Sequence, residues 1–348
     1  MKKPPILAME DRNEGIVCLH VVLAAFMAVC VLQAVFKYHP NPGGLISPIP
    51  YFGILAGLII PVGAVLFVVF MEIIFVGYRN SSWHQLFVER RDQSVGYDLF
   101  FYLLHIFRIR HLVFIYFTLG LYLYAEQFKG EFIGAAVAWG GRFSTGFPAV
   151  DFVLFVFVWS FFDYWNHRVQ HTPLLWPLHR LHHSATTLTL FTSHRNNPFL
   201  LLFEPFVRVW PYIILLPEPM HLFMFGTFNY TYQLLVHSNL RSDWGWFGRW
   251  VLISPAAHRI HHSNSPDHYG KNLSVAVIWD RIFGTWIEPA EQSLTLGIRE
   301  AGHNGGNLIK DVYGDVFLFL QGALTLFSQA AVSLVRLKTL SPVRVRPR

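Results

Sequence analysis

Long apolar stretches separated by polar loops dominate the first half of the chain. Four of them predict membrane-spanning helices because each, alone or with neighbouring residues, is long enough to cross a bilayer. These stretches are residues 15–36, 52–78, 112–125 and 149–165. The last one runs directly into His167, and residues 126–148 before it predict a mixed loop.

Further apolar stretches are shorter or are interrupted by polar residues and prolines. Residues 99–107 are too short to cross and predict part of a bent, interfacial element. Residues 199–216 and 220–236 predict a re-entrant hairpin or a short pair of spans, and the second of them ends at His237. Residues 316–335 predict a last apolar helix, which a basic tail would keep at the interface or on the cytoplasmic side.

The composition also favours a membrane protein. Of the 348 residues, 53% are hydrophobic and only 14% are charged, whereas roughly 25% of residues are charged in a typical soluble domain. We therefore predict an all-α, polytopic helical bundle of about four spans. The formal net charge of +6 comes from scattered basic residues, which suits anionic lipid head groups better than nucleic acid.

The distribution of Lys and Arg among the short loops predicts the orientation. With four crossings, the basic residues of segments 2–12 and 79–110 fall on one side of the membrane. The other side receives only Lys37, Lys129 and Arg142. Because cytoplasmic loops carry the excess of positive charge, we expect a cytosolic, histidine-rich helical cap on the bundle.

One six-residue phrase occurs twice beyond the last of these four stretches. It reads HRLHHS at residues 179–184 and HRIHHS at residues 258–263. Positions i, i+3 and i+4 share one face of a helix, so we expect each phrase to point three imidazoles the same way. His167 and His171 form a similar pair, and His237 stands in an HSN setting between the phrases.

Histidines grouped in this way predict metal binding rather than packing. Burying neutral imidazoles side by side costs desolvation at each ring unless every nitrogen finds a partner, and a metal ion supplies that partner. A structural zinc site uses four ligands and often cysteine, so these histidines are too many for one ion. We predict a site for two metal ions, whose identity ligand chemistry alone leaves open.

The order of the motifs resembles the fatty acid hydroxylase / sterol desaturase superfamily. The resemblance covers roughly residues 150 to 286, from a DYW motif at 163–165 to a WDRIFGT motif at 279–285. It implies a non-haem centre of two iron ions, O2 as co-substrate, and oxidation of an unactivated C–H bond in a lipid. By motif position, it implies the metal ligands His167, His171, His179, His182, His183, His237, His258, His261 and His262.

The resemblance divides the chain into three regions. Residues 1–148 form an N-terminal transmembrane region without a family signature, 149–290 a hydroxylase-like catalytic domain, and 291–348 an apolar or interfacial helix with a basic tail. Two positions depart from the pattern, since Asn197 and Gln233 stand where some members have histidine. The outermost ligands or their supporting residues are therefore expected to differ here.

Polar residues beside the histidines are candidates for orienting the rings. Asp163 lies one turn before His167 on the same helix face, and we predict a catalytic role for it in holding an imidazole. Asp280 and Asn239 are weaker candidates for the same role.

These observations predict a di-iron membrane oxidoreductase that hydroxylates a fatty acyl chain or a sterol-like lipid. A desaturase on the same centre stays a close alternative, because a histidine cage serves either outcome. No dinucleotide fingerprint or intact haem motif is present, so electrons are expected from a ferredoxin or a cytochrome b5-like protein with its reductase. A metal transporter would place ligands near the bilayer midplane, and a bis-histidine haem subunit would use pairs rather than triplets; both fit less well.

Overall fold

A computed structural model describes residues 50–339 apart from 90–91, 108, 139–142, 216, 218, 290–293 and 301–302. Within these residues the chain is helical, with no strand and with isolated bridges at Leu252–Ala276 and Ser263–Leu296. The predicted all-α class is confirmed. The predicted first span at 15–36 and the basic tail from residue 340 onward lie outside the described residues.

Helices of very different length make up the described chain. Short helical turns connect them at Tyr78–Asn80, Ser82–His84, Gln85–Glu89, Leu190–His194, Leu200–Leu202 and Pro266–His268. The helices are α1 (Pro50–Phe75), α2 (Gln93–Ile106), α3 (Arg110–Phe117), α4 (Leu121–Ala138), α5 (Pro148–Gln170), α6 (Trp176–His183), α7 (Glu204–Arg208), α8 (Trp210–Leu215), α9 (Pro219–His237), α10 (Gly245–Trp250), α11 (Pro255–His261), α12 (Val277–Ile282) and α13 (Leu308–Thr339).

Helix α1 corresponds to the second predicted span and contains Pro61 without ending there. It stops before the apolar pattern does, because Gly77 has a φ of 84°, in the left-handed region that favours glycine. The Glu72 carboxylate is buried near the end of the helix. It accepts hydrogen bonds from the backbone N–H groups of Ser82 at 2.7 Å and Asn239 at 2.6 Å. The end of α1 is therefore tied to the segment that follows α9.

The predicted third span, at residues 112–125, is divided between helices α3 and α4. Helices α2 and α3 meet at 112°, which agrees with the bent element expected around 99–107. The prediction of a single crossing at 112–125 is wrong, because Leu119 and Gly120 have φ values of 52° and 86° and separate α3 from α4. Helix α4 then continues into the predicted loop at 126–148.

Helix α5 is the one described helix that by itself is long and apolar enough to cross a membrane. The bent pair α2–α3 would be a second if it counts as one span. The prediction for residues 149–165 therefore agrees with the structure, whereas a bundle of four spans stays a prediction.

The largest hydrophobic core lies between α1, α5 and α9. Val68, Phe155 and Phe225, one from each helix, are buried in it, and the two phenylalanine rings lie 5.3 Å apart. The carboxyl ends of α5 and α9 meet the short helices α6 and α11, which carry the histidine phrases. The core thus holds two apolar helices with their histidine-bearing ends against the two phrases.

Helix α13 packs against α6 along its first turns. Arg180 of α6 forms an ion pair with the buried carboxylate of Asp315 at 2.5 Å, and His303 Nε2 lies 3.1 Å from the same group. The predicted apolar helix is longer than expected, and its first half is anchored to the first phrase. Farther along, Leu324 and Phe327 are exposed.

Candidate metal centre

Nine histidines from four helix ends come together on one side of the core. They are supplied by the last turn of α5 and the residue that caps it, by α6, by the last residue of α9, and by α11 with its capping residue. In chain order they are His167, His171, His179, His182, His183, His237, His258, His261 and His262.

Both phrases fold as short helices with a proline in the first turn. Pro177 in α6 and Pro255 in α11 stand in the first turn. Backbone N–H groups there have no partner within the helix, so a proline costs no helical hydrogen bond. Ser254 caps α11 by accepting a hydrogen bond from the Ala257 N–H at 3.2 Å. Each helix therefore has a defined start, and its three histidines follow near its carboxyl end.

The imidazole nitrogens form two groups, and in each group one nitrogen of every ring lies within 4.8 Å of the others. All rings are buried except that of His167, which is half-buried. The five-histidine pocket consists of His167, His171, His179, His183 and His261. The four-histidine pocket consists of His182, His237, His258 and His262.

Each phrase contributes to both pockets. His179 and His183 of the first phrase enter the five-histidine pocket, while His182 between them enters the four-histidine pocket. The second phrase reverses this arrangement, because only its middle histidine, His261, enters the five-histidine pocket. The expectation that all three rings of a phrase point the same way is therefore too simple: they share a helix face, but they divide between neighbouring pockets.

The hydrogen bonds of the four-histidine pocket leave lone pairs that face each other. His182 Nδ1 lies 3.2 Å from the Arg195 carbonyl, and His237 Nδ1 lies 2.7 Å from the Gln233 carbonyl. A carbonyl only accepts, so Nδ1 carries the proton in both rings and Nε2 carries the lone pair. The two Nε2 atoms lie 3.3 Å apart. Two lone pairs at this distance repel each other unless a cation lies beside them.

The five-histidine pocket shows the same pattern. His167 Nδ1 lies 2.7 Å from the Leu273 carbonyl, and His261 Nδ1 lies 2.8 Å from the Lys271 carbonyl. His261 Nε2 and both ring nitrogens of His171 are buried without a hydrogen-bond partner. Buried polar atoms are normally paired, so these nitrogens fit a bound metal ion.

Comparison with known proteins agrees with this geometry. Residues 152–285 match the sequence model of the family Fatty acid hydroxylase. This segment is a fatty acid hydroxylase domain. The superfamily resemblance is thereby confirmed, and both phrases, the HxxxH pair and His237 lie inside the matched residues.

Three curated relatives illustrate the similarity of the hydroxylase domain. An alkylglycerol monooxygenase from Xenopus tropicalis is 32% identical over 133 residues, which are 38% of this chain and 29% of the relative. An ornithine lipid hydroxylase from Rhizobium tropici is 33% identical over 153 residues, 42% of this chain and 45% of the relative. A Delta(7)-sterol 5(6)-desaturase from Aspergillus fumigatus is 29% identical over 154 residues, 42% of this chain and 40% of the relative.

These relatives are monooxygenases, hydroxylases and desaturases, all of which are oxidoreductases. The chain spans less than half the length of the curated relatives it matches. No solved structure matches the chain.

Burial keeps the imidazoles of the two histidine pockets neutral. It lowers the pKa of seven rings well below the ordinary 6.5, and nearby histidines lower most of them further. Neutral imidazole is the form that binds a metal ion, so at pH 7 the rings are ready to act as ligands without first losing a proton. The seven rings are those of His171, His179, His182, His183, His258, His261 and His262.

Asp280 supports the five-histidine pocket from one layer farther out. Its buried carboxylate accepts hydrogen bonds from the N–H groups of Leu273 at 2.9 Å and Ser274 at 2.8 Å, and from the Thr285 hydroxyl at 2.7 Å. These bonds hold the loop whose Leu273 carbonyl contacts His167. Asp280 thus acts on a ring through the backbone and touches no histidine of the pocket among the described contacts.

Asp163 and Asn239 make other contacts. Asp163 Oδ1 accepts a hydrogen bond from Arg208 Nη2 at 3.1 Å, while His167 is held by a carbonyl instead. Asn239 accepts a hydrogen bond from Arg259 Nη1 at 3.3 Å. The catalytic role of Asp163 stays a prediction, because the structure pairs this carboxylate with the Arg208 guanidinium group.

Sequence reasoning missed the four backbone carbonyls that fix the ring tautomers. A carbonyl has no signature in the sequence, since every residue carries one. Two of them nevertheless belong to segments that depart from the superfamily pattern: Gln233 itself, and Arg195, two residues before Asn197. Asn197 makes a different contact, donating to the Val312 carbonyl at 3.3 Å.

Aromatic residues of the matched segment divide between packing and a surface cleft. Phe191 is buried and stacks on Tyr102 with ring centroids 3.7 Å apart, so it is a packing residue. Phe203 and Phe206 line a cleft of about 580 Å³ beside α4, together with Tyr124 and Phe128.

Proposed function

We propose that the chain is an O2-dependent, non-haem di-iron oxidoreductase that hydroxylates a C–H bond of a membrane lipid. The observation that carries the proposal is the pair of adjacent, buried pockets whose donors are all imidazole nitrogens. The matched family and the oxidoreductase names of the relatives support it.

The donor set fits two metal ions in the hydroxylase domain. Each pocket offers more than three neutral nitrogens, and backbone carbonyls hold a ring in each pocket with its lone pair directed inward. The pockets are neighbours, since the rings of His183 and His262 lie 4.5 Å apart and those of His182 and His262 lie 4.7 Å apart. We assign all nine histidines as ligands and iron as the metal that the family implies.

Two ferrous ions held there would supply the redox chemistry that activates O2, with electrons replenished by an external carrier. The protein positions the ligands and excludes water from them. Helices α6 and α11 each place ligands in both pockets, which keeps the pockets next to each other. The burial of the rings keeps water away from most of the ligand set, and a low local dielectric strengthens the interactions inside it.

The apolar helices suggest how a lipid reaches the site. Helix α5 and helix α9 are apolar along most of their length and end at ligand histidines. An alkyl chain lying along them would reach the pockets without crossing water. A membrane lipid is therefore the proposed substrate, and we place the pockets at the cytoplasmic ends of membrane helices.

The electrons for each turnover are proposed to come from a separate carrier. One oxygen atom of O2 enters the lipid as a hydroxyl group and the other leaves as water, which consumes two electrons and two protons. The chain shows no nucleotide-binding fingerprint, so a ferredoxin or a cytochrome b5-like protein with its reductase is the proposed donor. A basic cytoplasmic face would suit an acidic carrier of this kind.

Comparative lipidomics tests the proposal. Cells that express the wild-type chain under air should accumulate a lipid that carries one additional oxygen atom, whereas cells that express His237→Ala should not. His268→Ala is the matched control, because this ring lies beside the second phrase but belongs to neither pocket and contacts Ser263.

The possible results distinguish hydroxylation, desaturation and the absence of any lipid oxidation. Loss of two hydrogens from a lipid, without added oxygen, would replace hydroxylation by desaturation on the same centre. An unchanged lipid profile, combined with purified protein that binds no iron, would contradict the proposed function.

A further inference from the structure

Arg195 is a completely buried cation that lies outside the nine histidines. It follows the turn Leu190–His194, and no part of it is exposed to solvent. Burying a charge is costly unless the group is paired and hydrogen-bonded. Arg195 meets that condition with contacts on both sides of its guanidinium group: Leu181 O at 2.8 Å, Ser184 Oγ at 2.5 Å, Ser94 O and Oγ at 3.0 Å, Asp98 Oδ1 at 3.4 Å, and Asn304 Oδ1.

One side of the guanidinium group holds the carboxyl end of α6. Its Nε donates to the Leu181 carbonyl and its Nη2 donates to the Ser184 hydroxyl, so the two contacts bracket His182 and His183. The last carbonyls of a helix lack partners within the helix, and a cation there also interacts favourably with the helix dipole. Arg195 therefore caps the helix at the point where it presents two ligands.

The backbone of the same residue holds one of those ligands. The Arg195 carbonyl lies 3.2 Å from His182 Nδ1 and fixes the tautomer that leaves the Nε2 lone pair in the four-histidine pocket. The side chain and the backbone of Arg195 therefore both contact the carboxyl end of α6. A displacement of Arg195 would move the helix end and release the His182 ring together.

The other side of the guanidinium group is anchored to α2. Nη1 contacts Ser94 and Asp98, and the Asp98 carboxylate also accepts hydrogen bonds from the hydroxyls of Thr189 at 2.8 Å and Thr192 at 2.6 Å. Helix α2 lies outside residues 152–285, which carry the family match. The anchor for the first phrase therefore comes from a region without a family signature.

Asn304 closes the network from the carboxyl-terminal side. Its amide oxygen accepts from Arg195, and its amide nitrogen donates to the Ser184 carbonyl at 2.7 Å. Asn304 has a φ of 63°, a left-handed conformation that asparagine tolerates better than most residues. Substitution by glycine would keep this backbone conformation and remove only the amide.

We infer that Arg195 is a positioning residue that locks the first histidine phrase in its metal-binding geometry by joining the end of α6 to α2 and to Asn304. This role depends on the proposed function, since the residues held are its metal ligands. Lysine cannot reproduce it, because an ammonium group is a single point of charge, whereas the planar guanidinium reaches acceptors on two sides at once. Loss of such support around a ligand typically weakens metal binding about 10–100-fold.

Iron titration of the full-length protein in detergent tests the inference. We expect wild type to bind two ferrous ions, Arg195→Lys to bind at least one of them about 10–100-fold more weakly, and Asn304→Gly to show a smaller shift in the same direction. Arg281→Lys is the matched control, because this arginine also donates to a backbone carbonyl, that of Arg249 at 2.8 Å, and stacks on Trp250, away from α6.

Thermal unfolding of the iron-free proteins separates positioning from general stability. A merely structural role would lower the unfolding temperature of Arg195→Lys and leave the iron affinity of the folded protein at the wild-type value, and that result would overturn the inference. If Arg195→Lys does not fold, wild-type iron affinity in Asn304→Gly would overturn it instead. Failure of wild type itself to bind two irons would contradict the proposed function and not the network around Arg195.

Discussion

The two histidine phrases have the same spacing but divide their rings in opposite ways. In HRLHHS the first and last histidines belong to the five-histidine pocket, whereas in HRIHHS the corresponding rings belong to the four-histidine pocket. In both phrases the middle histidine crosses to the other pocket. Each short helix therefore bridges the two pockets, and neither pocket is complete without both phrases.

The two phrases also differ in what holds them. The second phrase is supported from within the matched domain, because Asn272 Nδ2 donates to the Ala257 carbonyl at 3.0 Å and Asp280 orders the loop beside it. The first phrase depends on contacts with distant parts of the chain, through Arg195 to α2 and through Arg180 to α13. The second phrase is thus held by side chains of the matched domain and by a backbone bridge from Ser263 to Leu296, whereas the first phrase relies on side chains of α2 and α13.

The largest expected effect comes from removing the middle histidine of either phrase. His182→Ala and His261→Ala should each abolish lipid oxidation, because each takes a ligand from a different pocket of a centre that needs both ions. Iron content and the Mössbauer spectrum of the iron that remains check this prediction. We expect the two variants to retain different spectra, since opposite pockets are damaged.

Full lipid oxidation in either variant would remove that histidine from the ligand set. Identical spectra of the remaining iron would show that the pockets do not fill independently. Circular dichroism of both variants is the control, since the proteins should stay helical.

The next largest effect tests the loop at Leu273 and Ser274, which Asp280 holds and whose Leu273 carbonyl contacts His167. Asp280→Asn exchanges a carboxylate oxygen that accepts hydrogen bonds for an amide nitrogen that cannot, so one of three bonds to Leu273, Ser274 and Thr285 is lost. The free energy of unfolding should fall by about 1–3 kcal/mol. Iron bound in the five-histidine pocket should weaken by about 10–100-fold, because the Leu273 carbonyl supports His167.

Denaturant unfolding and iron titration measure the two effects of Asp280→Asn separately. Loss of iron from the four-histidine pocket, with the five-histidine pocket intact, would contradict the assignment of this support. Asn272→Gly offers a comparison, since it removes the side-chain contacts to Ala257 and Ile287 and leaves the Leu273 loop attached to Asp280.

Much of the candidate site could be predicted from the sequence because the proposed ligands are rare side chains at helical spacing. The spacing of His179, His182 and His183 predicts a shared helix face without any knowledge of the fold. Their division between two pockets could not be predicted, since it depends on how α6 is rotated against α11. The supporting role of the Leu273 and Lys271 carbonyls could not be predicted either, because every residue type carries a backbone acceptor.

The long-range part of the fold was the least predictable. Nothing in the sequence connects Arg195 with Asp98, 97 residues earlier in the chain, because an isolated arginine and an isolated aspartate are ordinary surface residues. Apolar patterning predicted helices α5 and α9 and their ends at histidines. It failed at 112–125, where the left-handed backbone of Leu119 interrupts a continuous apolar run.

The smallest expected effect compares the arginines that hold the same place in the two phrases. Arg180 pairs with the fully buried Asp315 carboxylate at 2.5 Å, whereas Arg259 donates to the neutral amide oxygen of Asn239 at 3.3 Å. Lysine keeps the charge but loses the directed N–H groups. Arg180→Lys should therefore lower the free energy of unfolding by about 1 kcal/mol, and Arg259→Lys by no more than about 0.5 kcal/mol.

Denaturant unfolding of the two iron-free variants, each against wild type, measures this difference. If the first phrase relies on distant contacts, Arg180→Lys should lower the free energy of unfolding by less when Asp315→Asn is already present. The reason is that the carboxylate that makes the pair charged is then gone. An equal loss in the presence and absence of Asp315→Asn would mean that Arg180 acts within α6 alone. The contrast between the two phrases would then rest on Arg195 by itself.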